Sequence, residues 1–398
     1  MMAMAVSSSQ FKQTVSDVAS RDEHNALSLP TDFWACKELD QLDLAQVNAF
    51  FLPMLRFQMG RAMRVMPEIY GKAYSKKKIS PKGIKTIEDF WQLPILVKDS
   101  TVSGVGFRSK VALNPEVMRP NDLKEGVCVY KSGGTKGVPT PTFITPTDRD
   151  IEAYALGRCF SYMGMGPRTR MLNTYNPTHK GGDWIKEAVL KLGGTIIPRR
   201  TTDTIEQTMA AIESYDVNTV ATVQGPISLE NATRKGGGVD FLGMVEAGQQ
   251  ILEERVDTLF ITGYTLIDEL VNWAENFDKK LATTLGSSEA IPQATSTTIA
   301  SGKCKYNQQH VINGPHYVEV LKEESGVMVP VKEGEEGILA YTTVARSGTI
   351  YLRYAPGDVC TLVKKSCAFP CGLKSDIITD IGRKDVPEDV VTTGCCIG

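Results

Sequence analysis

Within Lys131-Ser132-Gly133-Gly134-Thr135-Lys136-Gly137, hydroxyls, glycines and ammonium groups are crowded together. The apolar run Val127-Cys128-Val129-Tyr130 leads in, and the strand-like Pro141-Thr142-Phe143-Ile144-Thr145 leads out. Glycines let a backbone come close to a ligand and turn its N–H groups inward, while Ser132 and Thr135 add donors and Lys131 and Lys136 add charge. The chemistry this composition suits is the binding of an anion, phosphate above all. It is neither the Gly-x-x-x-x-Gly-Lys-Ser/Thr loop nor the Gly-x-Gly-x-x-Gly dinucleotide turn. Taken alone, the stretch also reads as a plain hairpin.

Four other stretches carry functional residue types. Leu285-Gly286-Ser287-Ser288-Glu289 ends a strand-like run with two hydroxyls and a carboxylate, a set that suits a phosphate and its magnesium ion. Arg353-Tyr354-Ala355-Pro356-Gly357-Asp358 places a carboxylate on a turn, where it can accept both hydroxyls of a ribose. Gly382-Arg383-Lys384-Asp385 offers a guanidinium beside a hinge-like glycine, and Asn173 to Gly182, with Tyr175, His179, Gly181 and Gly182, supplies a small, partly aromatic wall. Each alone is weak, because Asp on a glycine turn is a common structural device. Among only four histidines there is no convincing Ser-His-Asp set.

Cysteines raise a second question. Nine in 398 residues are too few and too uneven for a disulfide framework, yet Cys360, Cys367, Cys371, Cys395 and Cys396 gather near the end. Cys304 and His310, with Cys367 and Cys371, form two local pairs that a β-rich fold could bring together as a structural Cys3His zinc site. Buried, unligated thiols are the alternative, and His316 is the alternative fourth ligand.

The elements that must position these groups follow from pattern. Residues 11–80 read as helical, with apolar positions recurring through Val47 to Met59. Beyond the glycine loop, helices expected at Asp148–Met163, Asp183–Leu192, Ile205–Ser214, Val245–Leu252 and Leu266–Phe277 alternate with strands at Arg170–Tyr175, Thr195–Pro198, Thr219–Val223, Thr258–Thr262 and Lys280–Thr284. Such alternation predicts an α/β fold, a mostly parallel sheet covered by helices. Ligands of such sheets sit outside the carboxyl ends of the strands, here Asn173–Gly182, Gln224-Gly225-Pro226, Gly263-Tyr264 and Leu285–Glu289. From about Cys304 the pattern changes to β-rich runs, His316–Leu321, Gly337–Thr343 and Thr349–Tyr354, read as a smaller antiparallel or barrel-like unit. The expected divisions are residues 1–84, a helical region; 85–300, the α/β core; 301–381, the β-rich part; and 382–398, hinge and tail.

Taken in order, these stretches resemble the adenylate-forming superfamily, and within it the phenylacetate–CoA ligase-like branch, over roughly residues 85–390. The branch shows in Asp89-Phe90-Trp91-Gln92-Leu93-Pro94, in Gly334 to Leu339 leading to Thr342-Thr343, and in Arg353-Tyr354 ahead of Gly357-Asp358. The resemblance implies ATP-dependent activation of a carboxylic acid, aromatic or medium-sized, to an acyl-adenylate for transfer to a thiol such as CoA. It implies that Ser132 to Gly137, with Lys136, grip the ATP phosphates, that Gly263 and Tyr264 line the adenine site beside Gly286 and Ser287, and that Ser288 touches the α-phosphate. Glu289 would hold Mg2+, Asp358 and Arg383 would fix the ribose, and the acid would lie near Tyr175–Gly182 and Gln224–Pro226. Comparable Cys and His positions occur in some members of the branch.

Departures are also visible. The usual second hydroxyl and Thr-Thr-Gly run of the loop are replaced by Ser132-Gly133-Gly134-Thr135-Lys136-Gly137, and Leu285 stands where an aromatic is expected. The sequence stops soon after Asp385, so the mobile domain with the family's catalytic lysine is not in it, either because the chain is truncated or because it is naturally short. A weaker resemblance to acyl-protein synthetases of bacterial luminescence makes Cys395-Cys396 a candidate acyl-accepting thiol pair, with a plain tail as the alternative. Transfer to a protein or carrier thiol and a nucleotide-binding pseudoenzyme are therefore the other readings.

Composition bounds the rest. With 42% hydrophobic and 23% charged residues the chain can bury a large core. A net charge of −2 with no basic stripe argues against nucleic acid and against a polybasic membrane anchor. Neither a signal peptide nor a segment of transmembrane length is apparent, so the expected location is the cytoplasm. A homodimer is what the family suggests.

Overall fold

The computed structural model describes residues 6–97, 101–102, 105–132, 139–176, 179–200, 202–223, 240–262, 266–296, 307–363 and 373–383; for 101, 102, 105 and 383 only the backbone is described. Five parallel strands form the centre, in the spatial order Thr195–Pro198, Arg170–Asn173, Thr219–Thr222, Thr258–Thr262, Lys280–Leu285. Successive residues of a strand face opposite sides, so Leu172, Val220, Leu259, Ile261 and Leu281 go to one face and Met171, Ala221, Phe260 and Ala282 to the other. The first face packs on helices Ile205–Ser214, Phe241–Arg255 and Asp268–Asn276, and the second on Pro146–Tyr162 and Lys180–Lys191. Both faces are dry, which is why the strands lack polar alternation.

Strand and helix positions agree with the periodicity to within a few residues at their ends, and the α/β class stands. Two local expectations fail. Thr349 to Arg353 is not a strand: only Tyr354–Ala355 pairs, parallel to Leu96–Val97 and antiparallel to Tyr341. Arg353 takes a positive φ of 44° there, and its guanidinium leaves the sheet to bind the carbonyls of Trp91, Leu93 and Met328 and the carboxylate of Glu319. This clamp joins the Asp89–Pro94 and Arg353–Tyr354 motifs in space. The helix expected from Asp183 instead starts at Lys180, capped by His179, whose Nδ1 accepts from Gly181 N at 3.2 Å.

The β-rich part continues the same sheet. Lys280–Leu285 pairs antiparallel with Ala294–Thr295, which leads through Gln309–Val311 and Ile377–Arg383 to Asp358–Val363 and Glu336–Thr343, the last pairing with His316–Glu324. The turn between Leu285 and Ala294 is therefore where the sheet changes from parallel to antiparallel. At the other end of the chain, helix Leu44–Val65 continues through Pro53 and shares one core with Phe33, Trp34, Tyr317, Tyr351 and Tyr354. Among the described residues no helix is long and apolar enough to cross a membrane.

Candidate active site

The glycine-rich loop is borne on a hairpin. Cys128–Lys131 pairs antiparallel with Pro141–Ile144, and its base is closed twice, by Ser132 N to Thr140 O at 3.0 Å and by Thr140 N to Ser132 Oγ at 2.9 Å. The Ser132 hydroxyl thus accepts from the backbone and keeps its own proton to donate. Gly133, Gly134, Thr135, Lys136 and Gly137 lie outside the described residues. Tyr130 steadies the hairpin against the helix from Lys180, with its phenol on Asp183 at 2.9 Å and its ring edge-on to Trp184.

Opposite the hairpin stands the turn after Leu285. Ser287 shapes it: Oγ accepts from Glu289 N at 3.3 Å and Ala290 N at 3.2 Å and lies 3.1 Å from the phenol oxygen of Tyr341. That employs Ser287 in the turn itself, whereas the half-buried Ser288 makes no hydrogen bond among the described residues. Glu289 is only 2% exposed. Its carboxylate makes no ion pair among the described residues, and its one hydrogen bond there is from the Tyr354 phenol at 3.4 Å. A buried carboxylate without a cation is costly, and a hard oxygen ligand suits Mg2+. The donor type therefore fits the metal.

Tyr354 ties the parts together. Its phenol donates to Glu289 and lies beside the Thr140 side chain at the foot of the glycine hairpin, while burial first, and then the charges of Glu289 and Asp358, hold it well above the usual phenol range. Asp358 opens the strand Asp358–Val363 directly opposite Arg383 in the antiparallel register, after Gly357 at a φ of 108°. The hairpin base, the Glu289 turn and the Asp358/Arg383 pair thus meet at one end of the sheet.

Tyr175 has a mixed position. Its hydroxyl accepts from Thr262 N and Oγ1, both at 2.9 Å, and donates to Thr222 O at 2.6 Å, so it laces together the carboxyl ends of three parallel strands. Burial pushes this phenol up to about 12. His179 is exposed as a helix cap, and Gly182 is pressed so close to the preceding turn that a Cβ would lie 2.4 Å from Asn176 O. Gln224, Gly225 and Pro226, with Gly263 and Tyr264, lie outside the described residues.

His310 is not part of this gathering. It sits in the strand Gln309–Val311 with Nδ1 3.4 Å from Ser375 O, and burial lowers its pKa. Cys304, Cys367, Cys371, Cys395 and Cys396 are outside the described residues, and among those described no group of three or more His, Cys, Asp and Glu could hold a metal ion. Cys360 is a buried thiol pushed up to about 12 by burial and by neighbouring carboxylates.

The structure adds charged groups that spacing did not single out. Glu152, at the centre of the helix Pro146–Tyr162, receives Arg346 Nη2 and His316 Nε2 (3.0 Å) on Oε1 and Lys180 Nζ (3.0 Å) on Oε2. Burial pulls the Lys180 ammonium down to about 7 against the opposing fields of Glu289 and Asp148. The only sequence signal was Asp148 and Glu152 four apart in a helix that also carries Arg149, Asp150 and Arg158, which reads equally well as an exposed face. Arg346 and Lys180 had none.

No family model matches the chain. Phenylacetate–coenzyme A ligase of Thermus thermophilus is 24% identical over 342 residues, which are 84% of this chain and 69% of that protein. Structures of 2-hydroxyisobutyryl-CoA ligase share the fold: the open conformation with 2-HIB-AMP and CoA superposes with a TM-score of 0.70 at 16% identity over 87% of this chain and 77% of that one. The chain is thus similar in sequence to a phenylacetate–CoA ligase and in fold to 2-hydroxyisobutyryl-CoA ligase. A second structure of the same ligase, in the postadenylation state with R3-HIB-AMP, covers 91% of this chain at a TM-score of 0.69 and 16% identity.

Proposed function

We propose that this protein activates a carboxylic acid with ATP, forming an acyl-adenylate and releasing pyrophosphate, for transfer of the acyl group to a thiol such as CoA. The observation that carries the reading is the convergence on Tyr354 of the glycine hairpin, through Thr140, and of the buried carboxylate of Glu289, which makes no ion pair among the described residues. The similar proteins are named as a phenylacetate–CoA ligase and as a ligase bound to an acyl-AMP and CoA, which supports the same chemistry.

In this reading a substrate carboxylate oxygen bonds to the α-phosphorus as the bond to the bridging oxygen breaks, and pyrophosphate carries away the electron pair. The chain has to hold two anions together and balance developing charge, with no side-chain base. The glycine loop with Ser132 and Lys136 holds phosphates, and the hydroxyl of Ser288 donates to the α-phosphate. Glu289 is the ligand for Mg2+, which when bound would neutralise phosphate charge. Asp358 and Arg383 take the ribose, Gly263 and Tyr264 the adenine, and the acid lies between Tyr175–Gly182 and Gln224–Pro226. Tyr175 enters as a ring, since its hydroxyl is already engaged. A structural zinc on Cys304, His310, Cys367 and Cys371 is a separate proposal, tested by metal analysis of the purified protein.

The test is pyrophosphate–ATP exchange across a panel of aromatic and aliphatic acids. Acid-dependent exchange is expected, falling on the order of 100-fold in Glu289→Gln, the size of effect seen when one charge-stabilising group is removed from a transition state. Folded protein that binds ATP but exchanges with no acid would overturn activation in favour of a nucleotide-binding pseudoenzyme. Exchange without CoA thioester formation would point to a protein or carrier thiol as acceptor.

A further inference from the structure

Arg346 has no part in the substrate contacts proposed above, yet its guanidinium is committed at both ends. Nη1 donates to the backbone carbonyl of Glu289 at 2.6 Å, and Nη2 binds Glu152, which also holds Lys180 and His316. All four side chains of this cluster are at most 1% exposed. Buried ionic groups are a poor means of stabilising a fold, since their desolvation cost commonly equals or exceeds what they return. An arrangement of this kind is better explained by the geometry it imposes.

The backbone that carries Arg346 is itself held from several sides. Its carbonyl accepts from Gln58 Nε2 at 2.6 Å and Arg61 Nη1 at 2.9 Å, and the amides of Ser347 and Gly348 bind Asp148 at 2.7 and 2.9 Å. Thr349 N donates to Phe143 O, and Phe143 N to Thr349 Oγ1, both at 2.9 Å. Gly348 passes so near that a Cβ would stand 2.0 Å from Phe143 O. Phe143 belongs to the strand that leaves the glycine loop. One short segment, 346–349, therefore grips the loop's own hairpin with its backbone and the Glu289 peptide with a side chain.

We infer that Arg346 is a positioning residue that sets the Glu289 peptide in register with the glycine hairpin, and that Glu152, flanked by Lys180 and His316, orients Arg346 for this. The inference rests on the activation reading for its purpose, since Glu289 is there the ligand of Mg2+. A planar guanidinium bridges two acceptors in fixed directions, and an ammonium cannot do so.

The experiment compares the parent with Arg346→Lys, Arg346→Met and the paired change Glu152→Gln with Arg346→Met, which removes both charges together and so covers the case in which Arg346→Met alone does not fold. For each variant that melts cooperatively, ATP binding is measured by calorimetry in EDTA and in Mg2+, and the Mg2+ concentration for half-maximal acid-dependent exchange is determined. Binding in EDTA should match the parent. The gain on adding Mg2+ should fall about tenfold or more, the usual effect of losing a partner that orients a metal ligand, with a matching rise in the Mg2+ requirement. A lowered melting temperature with the parent's Mg2+ dependence would overturn the inference and leave the cluster purely structural. So would a parent that gains nothing from Mg2+. Should the parent show no exchange with any acid, the activation reading fails by itself, and calorimetry still decides the role of Arg346.

Discussion

His316 lies 3.0 Å from a carboxylate and is nonetheless held neutral. Burial is the main cause and the Lys180 charge the next, and together they take the imidazole down to about 3. Arg346 and Lys180 already balance Glu152, so a third cation would find little to pair with. With a folded pKa near 3 and an ordinary value of 6.5, the folded state binds fewer protons than the unfolded one between these limits. This contribution to stability is complete above pH 6.5 and is lost as pH falls towards 3. His316→Gln should therefore flatten the acid limb of a plot of urea midpoint against pH. An unchanged limb would assign the acid sensitivity to other groups. Nothing in the residues around His316 announces this, because the neighbours that set its state come from positions 152, 180 and 346.

At the scale of elements, Tyr175 shows how the ends of the parallel strands are kept in line. The paired register of these strands runs to Asn173, Thr222 and Thr262, and at their ends the phenol adds an acceptor and a donor that join them. Tyr175→Phe leaves the Thr262 N–H and the Thr222 carbonyl without this partner and should cost about 1–3 kcal/mol, read as a lower urea midpoint at unchanged slope. A midpoint equal to the parent's would mean that water replaces the hydroxyl freely. Helix Lys180–Lys191 illustrates a different limit of sequence reading. Gly181 and Gly182 look like loop residues, yet they form the first helical turn, since only glycine fits at 182 against the Asn176 carbonyl. A glycine demanded by close approach and one demanded by a turn are the same letter.

For the molecule as a whole, the question is what joins the N-terminal region to the core. Arg158 and Asp40, both fully buried, form an ion pair of 3.0 Å, and Arg158 also binds the carbonyls of Trp34, Cys36 and Asn313. Tyr162 OH and Asn313 N complete the set on Asp40 at 2.9 and 3.0 Å. Arg158→Met strands the Asp40 carboxylate and several carbonyls, and should lower stability by about 3–5 kcal/mol in urea unfolding. A loss below about 1 kcal/mol would show that the N-terminal region is held by its apolar contacts alone.

The order of strands and helices, the α/β class and the stretches that converge on the site were determined by the sequence itself, because hydrophobic periodicity, glycine turns and clustered donors are local properties. Ser132, Glu289, Asp358 and Arg383 could be singled out for this reason: each sits at the end of a recognisable strand or turn. What only tertiary structure decided was the partners. That Ser287 serves the turn while Ser288 makes no hydrogen bond among the described residues, that Tyr175 spends its hydroxyl on three strand ends, and that Arg346, Lys180 and His316 surround Glu152 all depend on contacts between residues far apart in the chain. The strength of a buried charge is set by what is folded around it, and no spacing along the chain encodes that surrounding.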